Sequence, residues 1–318
     1  MDPTITDRRL GVLGWGVLWF TVAVILGGSV VRATGSGSGC GESWPRCEGS
    51  IFPLDGTVET GIEFTHRAMT TVLTVLLLLL VWRALRVTAP GHPLRRALGW
   101  ATVFFAGEVV IGAMLVVFGW VDADASIGRV VMVPVHLVNT FLLLGALTVT
   151  AHLGSGGSPP RWGDSATRDR LVLAGLVALI VVAASGALNA LADTLFPADT
   201  LIEGVRREFG RAAPFLVRLR LVHPVVAIGA GLAVIFVVRH PDFDPGRRAT
   251  GPARVVTIVV AAQFLVGLMN VAMATPVEIQ IVHLLAADVL WIWFVLGSAR
   301  VLALAPAPPV RIARSAAS

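Results

Sequence analysis

The sequence predicts an all-α membrane protein, with eight transmembrane helices forming two pseudo-symmetric four-helix bundles. Three observations predict it. Hydrophobic residues make up 55% of the 318 positions and charged residues only 14%, more apolar surface than a water-soluble domain of this size buries. Eight stretches have the ~20 predominantly apolar residues needed to cross a bilayer. Every basic residue is an arginine, and most arginines fall in alternate connections, the pattern of cytoplasmic loops in a polytopic protein.

Taken in order, the eight spans are 10–31, 62–82, 97–120, 130–153, 171–192, 213–238, 255–275 and 278–303. The first is too long, and too poor in cleavage-site features, for a removable signal peptide. Arg8 and Arg9; Arg83, Arg86, Arg95 and Arg96; Arg161, Arg168 and Arg170; Arg239, Arg247, Arg248 and Arg254; and Arg300, Arg311 and Arg314 mark one side. The expectation is a multi-pass cell-membrane protein with both termini cytoplasmic. Loops 33–61, 121–129 and 193–212, and a short turn near 276, then face outward. The formal charge of +5 is thus a topology signal and a contact with membrane lipid, with no nucleic acid partner implied.

The organisation is four spans plus four. Residues 1–153 form an N-terminal bundle carrying the outward loop 33–61, and GSGGSPPRWGDSATRDR at 154–170 is a cytoplasmic linker. Residues 171–304 form a C-terminal bundle, and 305–318 a cytoplasmic tail. A faint internal repeat relates the halves. GEVVIGAMLVV in the third span lies over AQFLVGLMNVA in the seventh, pairing Glu108 with Gln263 and Gly112 with Gly267. VPVHLVN in the fourth lies over IQIVHLLA in the eighth, pairing His136 with His283; EFTHR in the second lies over RLVHP in the sixth, pairing His66 with His223.

The histidines carry the chemistry. Of seven, His92, His152 and His240 lie at cytoplasmic ends or in loops, where solvated surface histidines are expected. His66, His136, His223 and His283 occupy the even-numbered spans, one each, all near the outward end. A lone histidine in a span is ordinarily a hydrogen-bonded interior residue. Two per half at matching positions suit facing ligands inside a bundle, and two imidazoles with no carboxylate cluster suit the axial positions of a heme better than zinc.

Each half adds different charges to its pair. Glu63 precedes His66 by three residues and so shares its helix face; it is a candidate for proton handling. The matching position is Arg220, with Arg218 nearby. Two readings stand for these arginines: pairing with heme propionates, or snorkelling to lipid headgroups. Arg67 is expected to turn away from Glu63 toward the interface. Asn139 shares the face of His136 and serves either that ligand or a helix–helix hydrogen bond. Glu108 and Asp288 lie nearer mid-membrane, where an acid is a functional candidate by default.

Cys40 and Cys47 both fall in the first outward loop, where an oxidising compartment favours a disulfide. Neither opens a CxxCH, so covalent c-type attachment is not expected. The spacing leaves open whether the bond is a staple or also redox-active.

With EFTHR, the paired VHL motifs, the cysteine loop and the four-plus-four repeat in view, the chain resembles the heme A synthase family over essentially all eight spans. The resemblance implies oxidation of the C8 methyl group of heme O to a formyl group by successive hydroxylations, giving heme A for terminal oxidases. It implies heme b as a resident cofactor on His223 and His283. Glu63, His66 and His136 correspond to the substrate-heme site, with Glu63 catalytic. Cys40 and Cys47 match the family's outward pair. Partners so implied are heme O as substrate, a heme O synthase and terminal oxidase assembly; a homo-oligomer is compatible. Some members carry a second cysteine pair between the fifth and sixth spans; here residues 189–210, NALADTLFPADTLIEGVRREFG, hold no cysteine and read as an amphipathic lid.

Two rival readings remain from the residues alone. A di-heme b-type electron-transfer protein linked to quinone would carry similar histidine pairs, but would need no acid beside just one of them. A transporter would place its site at mid-depth, deeper than these histidines.

Overall fold

The computed structural model describes residues 8–303, apart from Leu54, Asp199, residues 211–213 and residues 245–248. The expected tail 305–318, with Arg311 and Arg314, and Arg247 and Arg248 lie outside the described residues. The described residues are helical and contain no strand. Ten helices form: α1 (Arg8–Ala33), α2 (Val58–Val87), α3 (Pro93–Val117), α4 (Ile127–Gly154), α5 (Ala166–Leu195), α6 (Leu201–Glu208), α7 (Phe215–Leu219), α8 (Val222–Arg239), α9 (Thr250–Ala272) and α10 (Val277–Leu302). Eight spans are long and apolar enough to cross a membrane, α7 and α8 together making the sixth.

The helix starts follow local chemistry. Thr57, Ser126 and Ser165 cap α2, α4 and α5, each hydroxyl accepting a backbone N–H three residues on, as short polar side chains do at helix N-termini. Pro93 occupies the first turn of α3, where its missing N–H costs nothing. Outward-facing apolar side chains such as Leu78, Leu232 and Phe236 stay about 60% exposed, as expected when the surrounding solvent is hydrocarbon.

Two details differ from the sequence expectation, each for a physical reason. The sixth span runs from Phe215 to Arg239 as expected, but its hydrogen-bond ladder breaks between α7 and α8 at Arg220 and Leu221, whose backbones stay right-handed helical. Pro224 lies four residues beyond Arg220, so its ring clashes with the Arg220 carbonyl and supplies no N–H to it. The chain crosses the break with three-residue steps, Arg220 N–H to Val217 and Leu221 N–H to Arg218. The second difference is at 189–210. Its first third continues α5 to Leu195, and only α6 forms a separate short helix, one whose Arg207 and Glu203 pair along the same face.

Packing brings α1 and α10 together. α4 contacts α1, α3, α5 and α10, and α10 contacts α9, α4, α1 and α5, so these two helices carry the centre of the molecule. Trp291 of α10 stacks on Phe141 of α4, with ring centroids 5.4 Å apart. Gly145 makes room for that indole; a Cβ there would already lie 3.4 Å from it.

Candidate functional site

His66, His136, His223 and His283 lie in the N-terminal parts of α2, α4, α8 and α10. Two of them, one in each half, lie against a helix wall opened by a glycine. A Cβ on Gly28 of α1 would lie 3.0 Å from His66 Cε1, and one on Gly186 of α5 would lie 3.1 Å from His223 Cε1. The matching glycines let each imidazole approach the neighbouring backbone closely.

The second pair faces itself. His223 and His283 have ring centroids 6.5 Å apart and planes at 89°. A metal–imidazole bond is about 2 Å and the ring centre lies ~1 Å beyond the nitrogen, so two rings sharing one ion have centres ~6 Å apart. The observed centroid spacing is close to that value. Ser185 Oγ donates to the Val182 carbonyl at 2.9 Å and lies 3.0 Å from His223 Nδ1. With its single hydrogen so engaged, the hydroxyl accepts from Nδ1–H, which leaves the Nε2 lone pair for a ligand.

The first pair is built differently. His66 and His136 lie near enough to interact electrostatically. His66 Nδ1 is buried without an aligned hydrogen bond, with the Val24 carbonyl within reach of the ring. His136 Nδ1 lies 3.1 Å from Glu108 Oε2, off the N–H axis. Glu108 in turn accepts from Asn139 Nδ2 at 2.5 Å, and Thr140 Oγ1 lies 2.8 Å from its Oε2 and 2.9 Å from the His136 carbonyl. Asn139 thus makes the helix–helix hydrogen bond expected of it, since its amide also bonds the Phe104 carbonyl of α3 at 2.8 Å.

Glu63 is 3% exposed. Its Oε2 accepts the Cys40 N–H at 2.7 Å, and its Oε1 accepts from Arg67 Nε at 3.0 Å and Nη2 at 2.5 Å. The expectation that Arg67 turns away is therefore corrected. The residues are four apart on α2, the spacing at which an acid followed by a base pairs along a helix. Arg67 Nη1 reaches on to the carbonyls of Ser43 at 2.8 Å and Arg46 at 2.9 Å. Between them the two side chains bolt the 40–47 loop onto α2. Cys40 and Cys47 form a disulfide within that loop, both sulfur-bearing residues being buried. Gly39 lies so close to the first turn of α2 that a Cβ would overlap the Glu59 carbonyl.

Arg220 is buried, and its partners are on the end of α5: Asp193 Oδ1 lies 3.0 Å from Nε, and Nη2 donates to the carbonyls of Ala192 at 2.6 Å and Phe196 at 2.7 Å. Arg218 is exposed. A nearby arginine that sequence reasoning passed over, Arg32 at the end of α1, crosses to the other half. It donates to the Ala190 carbonyl at 2.8 Å and Thr194 Oγ1 at 2.6 Å on α5, and to Gln280 Oε1 at 3.0 Å on α10. An arginine closing an outward span end was the signal available for it. Ser185 and Asp193 were also missed, since nothing in α5 repeats the histidine pattern. Asp288 is fully buried, and neither carboxyl oxygen has a hydrogen-bond partner among the described residues. No cluster of three or more metal-ligating side chains occurs among the described residues.

Comparison with known proteins now bears on these pairs. Residues 11–295 match a family of cytochrome oxidase assembly proteins, COX15-CtaA. The chain belongs to this family. A protein of Thermus thermophilus named protoheme IX farnesyltransferase is 43% identical over 290 residues, which is 90% of this chain but 47% of that protein; the chain thus spans about half the length of this relative. Heme A synthase of Lysinibacillus sphaericus is 40% identical over 116 residues, 33% of this chain and 36% of that enzyme. Heme A synthase of Shouchella clausii is 41% identical over 122 residues, 36% of this chain and 37% of that enzyme. This member of the COX15-CtaA family therefore has heme A synthases among its relatives, and it is a multi-pass membrane protein with a disulfide-bonded loop beside one histidine pair.

Proposed function

We propose that the chain is a heme A synthase that oxidises the C8 methyl group of heme O to a formyl group through two hydroxylations and loss of water from the gem-diol. The observation that carries this reading is the inequality of the two histidine pairs. His66 alone has a buried carboxylate, Glu63, one turn away on its helix, whereas the matching position before His223 is Arg220.

In this reading His66 and His136 hold the substrate heme O, and His223 and His283 hold a resident heme b. The 6.5 Å spacing of the second pair supports a shared iron there. Bound heme supplies the redox chemistry, and the protein supplies ligation, orientation and charge. Both Glu63 oxygens already receive donors from Cys40 and Arg67. That suits a fixed negative charge held at the site better than a side chain that swings to collect protons. The disulfide loop, seated on Glu63 and Arg67, then acts as the outer wall of the substrate site.

Arg218 and Arg220 remain the propionate candidates, though the Asp193 pair leaves Arg220 only its uncommitted edge. The alternating arginines support a cell-membrane location with both termini cytoplasmic. Heme O synthase and terminal oxidase assembly are the corresponding partners. The activity in the name of the Thermus relative belongs to a protein about twice as long, and is not extended to this chain.

The test is production of this chain together with a heme O synthase in cells lacking heme A, followed by pigment extraction and mass analysis. The expected product is heme A at the expense of heme O. Unchanged heme O beside a two-heme b-type spectrum would replace this reading with that of a di-heme electron-transfer protein.

A further inference from the structure

An imidazole that ligates a metal is oriented and tuned by whatever holds its other ring nitrogen. The four histidines differ at that nitrogen. His223 Nδ1 has a neutral hydroxyl, Ser185, at 3.0 Å. His283 Nδ1 is buried with no partner among the described residues. His136 Nδ1 has the carboxyl of Glu108 at 3.1 Å.

Glu108 is itself held from two sides. Oε1 receives Asn139 Nδ2, while Thr140 Oγ1 lies 2.8 Å from Oε2, on the edge that faces His136, and 2.9 Å from the His136 carbonyl, its single hydrogen serving these two acceptors. At the matching positions of the second half the sequence has Gln263, Ala286 and Ala287: the acid is an amide, and both of its holders have lost their polar groups. A plain link between α3 and α4 does not require an acid. A glutamine at 108 would bond Asn139 or Thr140 equally well, at less cost in hydrocarbon. What a glutamine lacks is acceptor capacity on both atoms: it would turn an NH2 group toward one of these donors. With Oε1 taken by Asn139, the other edge faces both Thr140 and His136 Nδ1, and an acid keeps an acceptor beside the imidazole where a glutamine would place an NH2 group.

We propose that Glu108 is a positioning residue for His136: it fixes the ring with Nε2 toward the substrate site and strengthens electron donation from that ligand. The inference rests on the reading of His136 as a heme ligand. Its consequence is that the first-half heme iron is harder to reduce than it would be behind a neutral partner, while the second half lacks this device.

The test is a spectroelectrochemical titration of the purified full-length protein, isolated from cells that supply heme O, for wild type and Glu108→Gln. The expected result is a rise of the first-half midpoint by about 59 mV, a tenfold change in the one-electron equilibrium, with the second-half midpoint unmoved. First-half heme occupancy should fall by about 10-fold or more. Thr140→Val keeps the carboxyl but frees one of its holders, and should move the same midpoint in the same direction by less; it serves if Glu108→Gln does not accumulate. An unmoved first-half midpoint, or equal movement of both midpoints, overturns the positioning role. His136→Ala separates the two claims. Retention of the first-half heme signal in that variant removes the ligand reading and the inference together. Its loss, beside an unmoved midpoint in Glu108→Gln, removes the inference alone.

Discussion

At the start of α2 the chain reads Glu-Phe-Thr-His-Arg, and at the start of α8 it reads Arg-Leu-Val-His-Pro. The histidines of these two stretches match, and everything around them has been turned to a different use. In the first, Glu63 and Arg67 pair on one uninterrupted helix and reach outward to hold a disulfide loop. In the second, Pro224 interrupts the helical hydrogen-bond ladder, and Arg220 at that break reaches sideways to Asp193 and the Ala192 and Phe196 carbonyls at the end of α5. One half uses its charges to fasten a loop onto α2; the other uses them to tie the start of α8 to the end of α5. The difference teaches that matching histidines can keep their positions while the residues one turn away differ entirely in what they hold; on the proposed reading, that separates a site for chemistry from a site for retention.

The comparison can be broken most directly at the histidines. His223→Ala and His283→Ala should each abolish the resident b-type absorption of the purified protein, while His66→Ala and His136→Ala should leave it. Equal losses from all four would erase the distinction between halves.

A second large effect is expected at Glu63. Glu63→Gln should lower heme A yield by ~10²-fold, the scale on which one placed electrostatic group acts, with the resident heme spectrum intact. Normal yield, measured by pigment extraction, would take the carboxylate out of the mechanism.

On the other side of the comparison, Asp193→Asn leaves Arg220 buried without its counter-charge. The side chains are 6% and 8% exposed, and breaking one partner of so buried a pair costs about 3–5 kcal/mol. A lowered thermal midpoint of the second-half heme signal is the expected readout. Adding Arg220→Gln to Asp193→Asn should restore part of the loss, and a purely additive double variant would argue against coupling.

The smallest effect is expected from Cys40→Ser. The disulfide spans a sequence separation of 7, a short loop whose closure is worth about 2–3 kcal/mol. Mobility on non-reducing gels should change, and heme A yield should fall with the loop loosened around Glu63. A fall in the second-half spectrum instead would show that the loop supports both halves.

Much of this architecture is legible in the amino-acid order alone. Span number and approximate limits follow from composition, because a bilayer demands internally bonded backbone and long apolar runs. Paired histidines at matching positions are legible for the same reason that a repeat is legible, by register. The direction of Arg67 is not, because it is set by a loop 21 to 24 residues earlier, and periodicity carries no information about which loop folds over a helix end. The break at Arg220 is legible in principle in Pro224, but Pro134 sits inside α4 without ending it, so proline alone does not decide.

The sequence by itself determined that this protein is a helical membrane protein, that its candidate ligands come in two pairs, and that only the first pair has an acid one turn away. Those are matters of composition and spacing along single helices. Only the tertiary structure decided that Glu63 holds a loop, that Glu108 stands behind His136, and that Arg32 joins the first half to α5 and α10. Each of these is a meeting of side chains set by how helices and loops pack, and not by the periodicity of any one of them.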